Sequence, residues 1–479
     1  MSGADMTGAV GLIPPGSCFP PVLLRTICNS KMIAFLSAFP EERMREHVGP
    51  APLRQILALA APALGVLAAE PLYLLVNTAM VGHLGAVPLA GLSVGGIVLA
   101  QIASQMTFLS FGTTARAARL HGAGRRADAV AEGVQATWLA AVAGLVITVA
   151  GQLLAGPVAH LLTGDGRVAD AAASWLRIAL LGAPLILITM AGNGWMRGVQ
   201  DMRRPLRYVL AGNVISTVLC PALVYGLGWG IDGSAVANVA GQAVSAILFV
   251  RALRAEGVPL APVPAAMRAQ LGLARDLVLL GLAFQACWVS ATAVAAHTSA
   301  ATAGAHQVVF QLWMFLAFVL DALAIAAQAL VGAALGAHNA ERARRLAWQV
   351  TGCGLVFGTL LGVVFAALAG VLPHVFTTDA TVLAEMSGAW WFFVALQPIG
   401  GVVFTLDGVL LGAGDAAYLR TATASGALLG FLPVVWASLK FGWGLVGIWS
   451  GLSAFLLIRM ITVLARLRSG RWAVLGAVR

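Results

Sequence analysis

Charge is what this sequence has least of. Only 10% of its 479 residues are charged, 60% are hydrophobic, and the mean hydropathy is +0.90. A soluble domain carries roughly 25% charged residues to cover its surface. A water-facing globule of this size is therefore excluded, and lipid is the implied solvent. Cysteine is scarce too. Cys18, Cys28, Cys220, Cys287 and Cys353 show neither metal-ligand nor disulfide spacing, and three fall in apolar segments as buried thiols. No Gly-rich phosphate loop with a following Lys and Ser/Thr occurs, so direct ATP drive has no support, and no HExxH or similar metal spacing is found. The loops are short and carry no catalytic constellation. The sequence reads as a non-enzyme with no metal site and no cofactor.

The net charge of +10 invites nucleic acid as a partner, but position argues against it. Arginines sit in short clusters between long apolar stretches, where they set topology rather than bind phosphate. The 55 glycines follow no collagen-like triplet; in a membrane bundle they let helix backbones approach closely.

A spanning helix needs about 20 mostly apolar residues. On that basis spans fall near 54–80, 89–113, 131–155, 171–196, 206–227, 234–253, 276–298, 304–335, 347–371, 384–411, 418–438 and 443–465. Basic residues precede the first span (Arg54) and follow the even ones, as at Arg119, Arg197, Arg254, Arg344, Arg420 and Arg468. The alternate loops hold little beyond Arg167 and Lys440. Such alternation puts both termini in the cytoplasm of a plasma-membrane protein.

The chain also repeats itself. Gly228-Trp229-Gly230 recurs as Gly442-Trp443-Gly444, Gly198 and Asp201 as Gly412 and Asp415, and Gly122-Ala123 as Gly336-Ala337, all at an offset of 336 − 122 = 214. Six spans return the chain to its starting side, so the copies run parallel, with a substrate path between them. The expected fold is an all-α membrane protein of about twelve transmembrane helices in two parallel-repeat six-helix bundles. The bundles are 51–253 and 276–467; 254–275, with Pro259, Pro262 and Pro264, is the cytoplasmic linker and 468–479 a cytoplasmic tail. Residues 1–50, with Pro14, Pro15, Pro20 and Pro21, read as a disordered extension or an over-extended start ahead of Met44.

An ionisable group at a helix centre costs about 2.5–3.5 kcal/mol to insert, so each one marks a candidate site. Glu70 lies mid-way along the first span, between Pro62 and Asn77, with Pro71 next to it. Asp321 interrupts an apolar stretch flanked by Gln311 and Gln328. Asp407 follows Gln397 and Pro398, where helix capping or pairing with Arg420 competes with a functional role. Arg177 is a natural counter-charge for one of these acids, or snorkels outward. His306 and Gln307 read as interfacial packing; Asp201 and Asp415 read as structural.

Glu70-Pro71-Leu72-Tyr73-Leu74-Leu75-Val76-Asn77-Thr78-Ala79-Met80-Val81-Gly82-His83-Leu84-Gly85 resembles the first-helix signature of the multidrug and toxic compound extrusion (MATE) family, closest to its DNA-damage-inducible subfamily. Asn193 to Asp201, Leu320 to Gln328, and Asp407-Gly408 with Gly412, Gly414 and Asp415 resemble further family segments, so the likeness runs from about residue 52 to the last helix. It implies two bundles and export of cationic or amphipathic compounds in exchange for protons or sodium ions. It also implies departures. Asn77 stands where members often place a coupling Asp, and Ser216 and Cys220 stand where many have an Asn–Asp pair. The seventh helix is expected to carry no acid. Coupling would then fall to Glu70, Asp321 and Asp407, in a monomer that takes a small-molecule substrate within the bilayer. A lipid-linked-precursor flippase and a non-coupled paralogue are the alternatives.

Overall fold

The computed structural model describes residues 51–476, with side chains from Arg54 onward; the expectations for residues 1–50, Cys18 and Cys28 lie outside the described residues. Among the described residues twelve spans follow one another, taking one bent helix pair as a single span. They are α1 (Arg54–Gly82), α2 (Ala86–Gly122), α3 (Arg126–Leu162), α4 (Gly166–Leu181 and Ala183–Gly198, bent by 49°), α5 (Arg203–Gly226) and α6 (Gly230–Ala255). Then come α7 (Pro264–Thr298), α8 (Ala300–Gly336), α9 (Ala340–Ala367), α10 (Ala380–Gly412), α11 (Ala416–Phe441) and α12 (Gly444–Ser469). Each is long and apolar enough to cross a bilayer, and leucines such as Leu153 and Leu161 stand exposed at 73% and 84%, as a lipid-facing surface requires. The connection between the halves is shorter than the expected 254–275: only 256–263 lies between α6 and α7. It is tied down on α3, where Trp138 Nε1 donates to Leu260 O (2.8 Å) and Val263 N donates to Gln135 Oε1 (2.7 Å).

The offset of 214 holds in the backbone. It carries the limits of α2 onto those of α8, of α4 onto α10 and of α6 onto α12. It also carries left-handed turns onto left-handed turns, even where glycine is lost. Gly124 (φ 76°) maps to His338 (φ 56°), and Gln200 (φ 62°) maps to Gly414 (φ 68°). Non-glycine residues seldom adopt positive φ, so the repeat dictates this geometry over local preference. Asp165 and Asp379 are another such pair. Each caps the next helix, Asp165 by accepting from Arg167 N (2.9 Å), and Asp379 from Thr381 Oγ1 (2.6 Å), Thr381 N (2.8 Å) and Val382 N (3.3 Å). These hydrogen bonds hold both carboxyls below the usual carboxylate range. Their stabilisation is thus complete above the ordinary carboxylate pKa and is lost as pH falls through the lowered values. Asp379→Ala should speed amide exchange at Thr381 and Val382 at neutral pH; exchange rates equal to the wild type would show that the cap is idle.

From Ile56 onward the described residues form one compact unit. The halves meet where α2 and α8 cross near their C-terminal ends. A Cβ on Gly122 would strike the Ala333 carbonyl, and one on Gly336 would strike the Arg119 carbonyl. Ala333 is the 214-residue counterpart of Arg119, so the crossing has the reciprocal geometry of a two-fold contact. Buried Arg119 adds three bonds across it, to the carbonyls of Ala413 (2.8 Å), Gly476 (3.0 Å) and Val474 (3.1 Å). The start of α1 joins the same closure, with Ile56, Leu59, Ala60 and Ala63 packed among residues of α8, α9, α10 and α12. The molecule is therefore shut on its Arg-rich face. Gly336→Val should force α2 and α8 apart there, lengthening the distance between spin labels in the α2–α3 and α8–α9 loops. An unchanged distance would mean that this crossing does not hold the face closed.

Candidate functional site

Above this closure α1 continues to Glu70. It lies seven residues after Ala63, nearly two helical turns, and so points the same way. Ala63 is buried against the second half, whereas Glu70 is exposed. Its counterpart in the second half is Phe284.

The next group on α1 belongs to a different surface. Parallel helices α1 and α5 are zipped by side-chain hydrogen bonds at matching levels. Asn213 Nδ2 donates to Ala69 O (3.0 Å), Ser216 Oγ to Tyr73 Oη (2.8 Å) and Cys220 Sγ to Asn77 Oδ1 (3.5 Å). Asn77, Ser216 and Cys220 thus come together, each no more than 2% exposed. The seam is neutral, satisfied and closed to the cleft.

Charge is concentrated where α4, α8, α10 and α12 approach. Asp407 on α10 receives both oxygens' bonds from Arg459 Nη2 on α12, at 2.9 and 2.8 Å. The Arg459 guanidinium lies 5.0 Å from the Phe284 ring and 5.6 Å from that of Phe455, an aromatic setting that favours a desolvated cation. Asp321 on α8 interacts electrostatically with Arg197 of the first half and with Asp407 of the second. Arg197, 5% exposed, is oriented by Ser110 Oγ, to which its Nη1 donates at 3.2 Å. Asp321 has no hydrogen-bonding partner among the described residues and is only partly buried. It is the acid of this cluster that interacts electrostatically with a residue of the other half.

Several expectations need correction. Asp407 pairs with Arg459, not with Arg420, which binds Asp276 instead. That same Asp276 lies in α7, so the seventh helix does carry an acid, neutralised on the Arg-rich face. Arg177 is exposed and serves none of the three acids as counter-charge. Gln328 is buried and spends its amide on Phe111 O across the halves (2.7 Å), whereas Gln311 is exposed. His306 packs, stacked on Phe310 with centroids 5.6 Å apart.

The MatE family model matches residues 62–222 and again 279–436, once in each half. The chain belongs to the MATE family. This MATE protein is 31% identical over 439 residues to Protein DETOXIFICATION 44, chloroplastic, of Arabidopsis thaliana, across 88% of this chain and 84% of that one. It is 28% identical to DNA damage-inducible protein F of Escherichia coli K12, across 96% and 99% of the two chains. A MATE crystal structure in the bent conformation shares its fold with TM-score 0.81 at 19% identity, over 88% of this chain and 95% of that one. MATE proteins are transporters rather than enzymes, and this one is a multi-pass membrane transporter.

Arg459 and Arg197, both buried, are the groups that sequence reasoning overlooks. Arg459 lies within a span, where any ionisable residue is a candidate, and the same test that singled out the acids would have found it. Arg197 was assigned to the topology-setting clusters because it sits in the last turn of α4.

Proposed function

We propose that this MATE protein exports small amphipathic cations across the plasma membrane in antiport with protons or sodium ions. It would act as a monomer with its Arg-rich face and both termini in the cytoplasm. The observation that carries this reading is Asp321, attracted electrostatically by Arg197 of the first half and repelled by Asp407 of its own half. With the Arg-rich face shut, substrate would leave on the opposite side, and exposed Glu70 is a second carboxylate for a cation. A proton or sodium ion arriving on Asp321 cancels its attraction for Arg197. It thereby weakens the link between the halves and favours the state open to the cytoplasm. The ion shifts that equilibrium only by its difference in affinity for the two states. A cationic substrate competes for the same carboxylates, so ion and substrate exclude one another.

A lipid-linked-precursor flippase would need unpaired basic groups for a diphosphate, whereas Arg459 and Arg197 each stand beside an acid. A non-coupled transporter is favoured by one observation, the neutral Asn77–Cys220 seam. Proteoliposomes loaded with a panel of cationic dyes separate these readings. Dye export should accelerate under an imposed proton or sodium gradient. Export indifferent to both gradients would leave the non-coupled reading, and no export of any dye would reject this one.

A further inference from the structure

Where α9 begins and α12 ends, the Arg-rich face holds a cavity that the transport cycle leaves unused. It measures about 340 Å3 and is lined by Arg344 and Trp348 of α9, by Arg468 and Ser469 of α12, and by Trp472 just beyond. That volume lies at the small end of ligand pockets, about 300–1,000 Å3, and suits a headgroup. Gly470 closes α12 with φ 66°, and a Cβ there would stand 3.1 Å from Arg344 Nη2; its bare backbone lets the guanidinium lie close.

Arg344 brings positive charge to this cavity. Of the nearby acids, Glu341 pairs with Arg345 (3.4 Å) and Asp415 with Arg466 (2.8 Å). Arg344 meets no carboxylate among the described residues. A plainer role would be to offset the terminal carbonyls of α12. That end already has donors: Trp472 Nε1 bonds Leu467 O (3.0 Å) and Ser469 Oγ bonds Arg466 O (2.8 Å). The guanidinium therefore retains donors for a ligand that supplies oxygens and negative charge.

We propose that this cavity binds the phosphate of an anionic phospholipid headgroup, with Arg344 holding the phosphate oxygens and the indoles of Trp348 and Trp472 forming its apolar walls. Inorganic phosphate offers the same oxygens. The lipid is favoured because the cavity lies at the ends of two spanning helices, in the layer where tryptophan concentrates and basic pockets meet anionic headgroups.

The test titrates the full-length protein in neutral detergent with dihexanoyl-phosphatidylglycerol, dihexanoyl-phosphatidylcholine or inorganic phosphate, following the thermal unfolding midpoint. Phosphatidylglycerol should bind at least about tenfold more tightly than the other two, and Arg344→Ala should remove about that factor, with Arg344→Lys in between. Phosphate binding as tightly as phosphatidylglycerol would overturn the lipid in favour of a soluble anion. Phosphatidylglycerol binding no better than phosphatidylcholine, or unaltered by Arg344→Ala, would overturn the site. In the wild type, phosphatidylglycerol with a photoreactive headgroup should label peptides containing 344–348 or 467–472. Labelling confined to other peptides would overturn the proposal whether or not the variants fold.

Discussion

Asp321→Asn should cut gradient-driven export by about a hundredfold while leaving the amount of folded protein unchanged. The magnitude follows from the charge. Placing an ionised group at a helix centre costs about 2.5–3.5 kcal/mol, and 2.8 kcal/mol is about a factor of one hundred in an equilibrium. Asn keeps the shape and polarity of the side chain but cannot exchange a cation, so that free-energy difference is no longer available to drive the conformational change. Folding should not suffer, because Asp321 makes no hydrogen bond among the described residues and Arg197 keeps its bond to Ser110. Asp321→Glu should retain a measurable part of the coupling, since it restores the charge at slightly different reach. Export by the Asn variant that still follows a proton or sodium gradient at the wild-type rate would remove Asp321 from the mechanism.

The span count and the repeat were legible because both are written in patterns that tertiary packing does not override. An offset visible in Gly122 and Gly336 reappears as a reciprocal backbone contact, because only residues without a Cβ allow that crossing. Ser216 and Cys220 were found through the family likeness, Asn77 also through its two-turn spacing from Glu70, and the seam between α1 and α5 explains why the three form one group. What the sequence hid was the pairing of charges. Side chains on a helix lean toward its N-terminus. Arg197, in the last turn of α4, therefore reaches back toward Ser110, twelve residues from the end of α2 and well inside the bundle. Counting from the nearest loop makes such a residue look exposed. Arg177 misleads in the opposite sense: it lies inside its span by number, yet its side chain is exposed. Linear depth gives the level of a Cα atom, and the direction of a long side chain can move its charge by more than a helical turn.

Arg459→Ala should be the most destabilising single change in the second half. It leaves Asp407, 19% exposed, without the guanidinium that contacts both of its oxygens, and breaking one side of a buried pair costs about 3–5 kcal/mol. The rings of Phe284 and Phe455 also lose the cation they enclose. A lower unfolding midpoint and a loss of monodisperse protein are the expected readouts. The double variant Asp407→Asn with Arg459→Met should recover much of that stability, since it removes both charges and refills the space, and apolar replacement of a buried pair is often neutral or better. Transport by this recovered protein then separates two roles that the single variant confounds. If Asp407 takes part in cation exchange, the double variant folds but its export no longer follows the ion gradient as closely. If export is fully restored with stability, the Asp407–Arg459 pair is structural, and coupling rests on Asp321 and Glu70. That division has a physical basis: an acid bonded through both oxygens to a buried arginine gives up its charge less readily than one whose counter-charge stands on the opposite half.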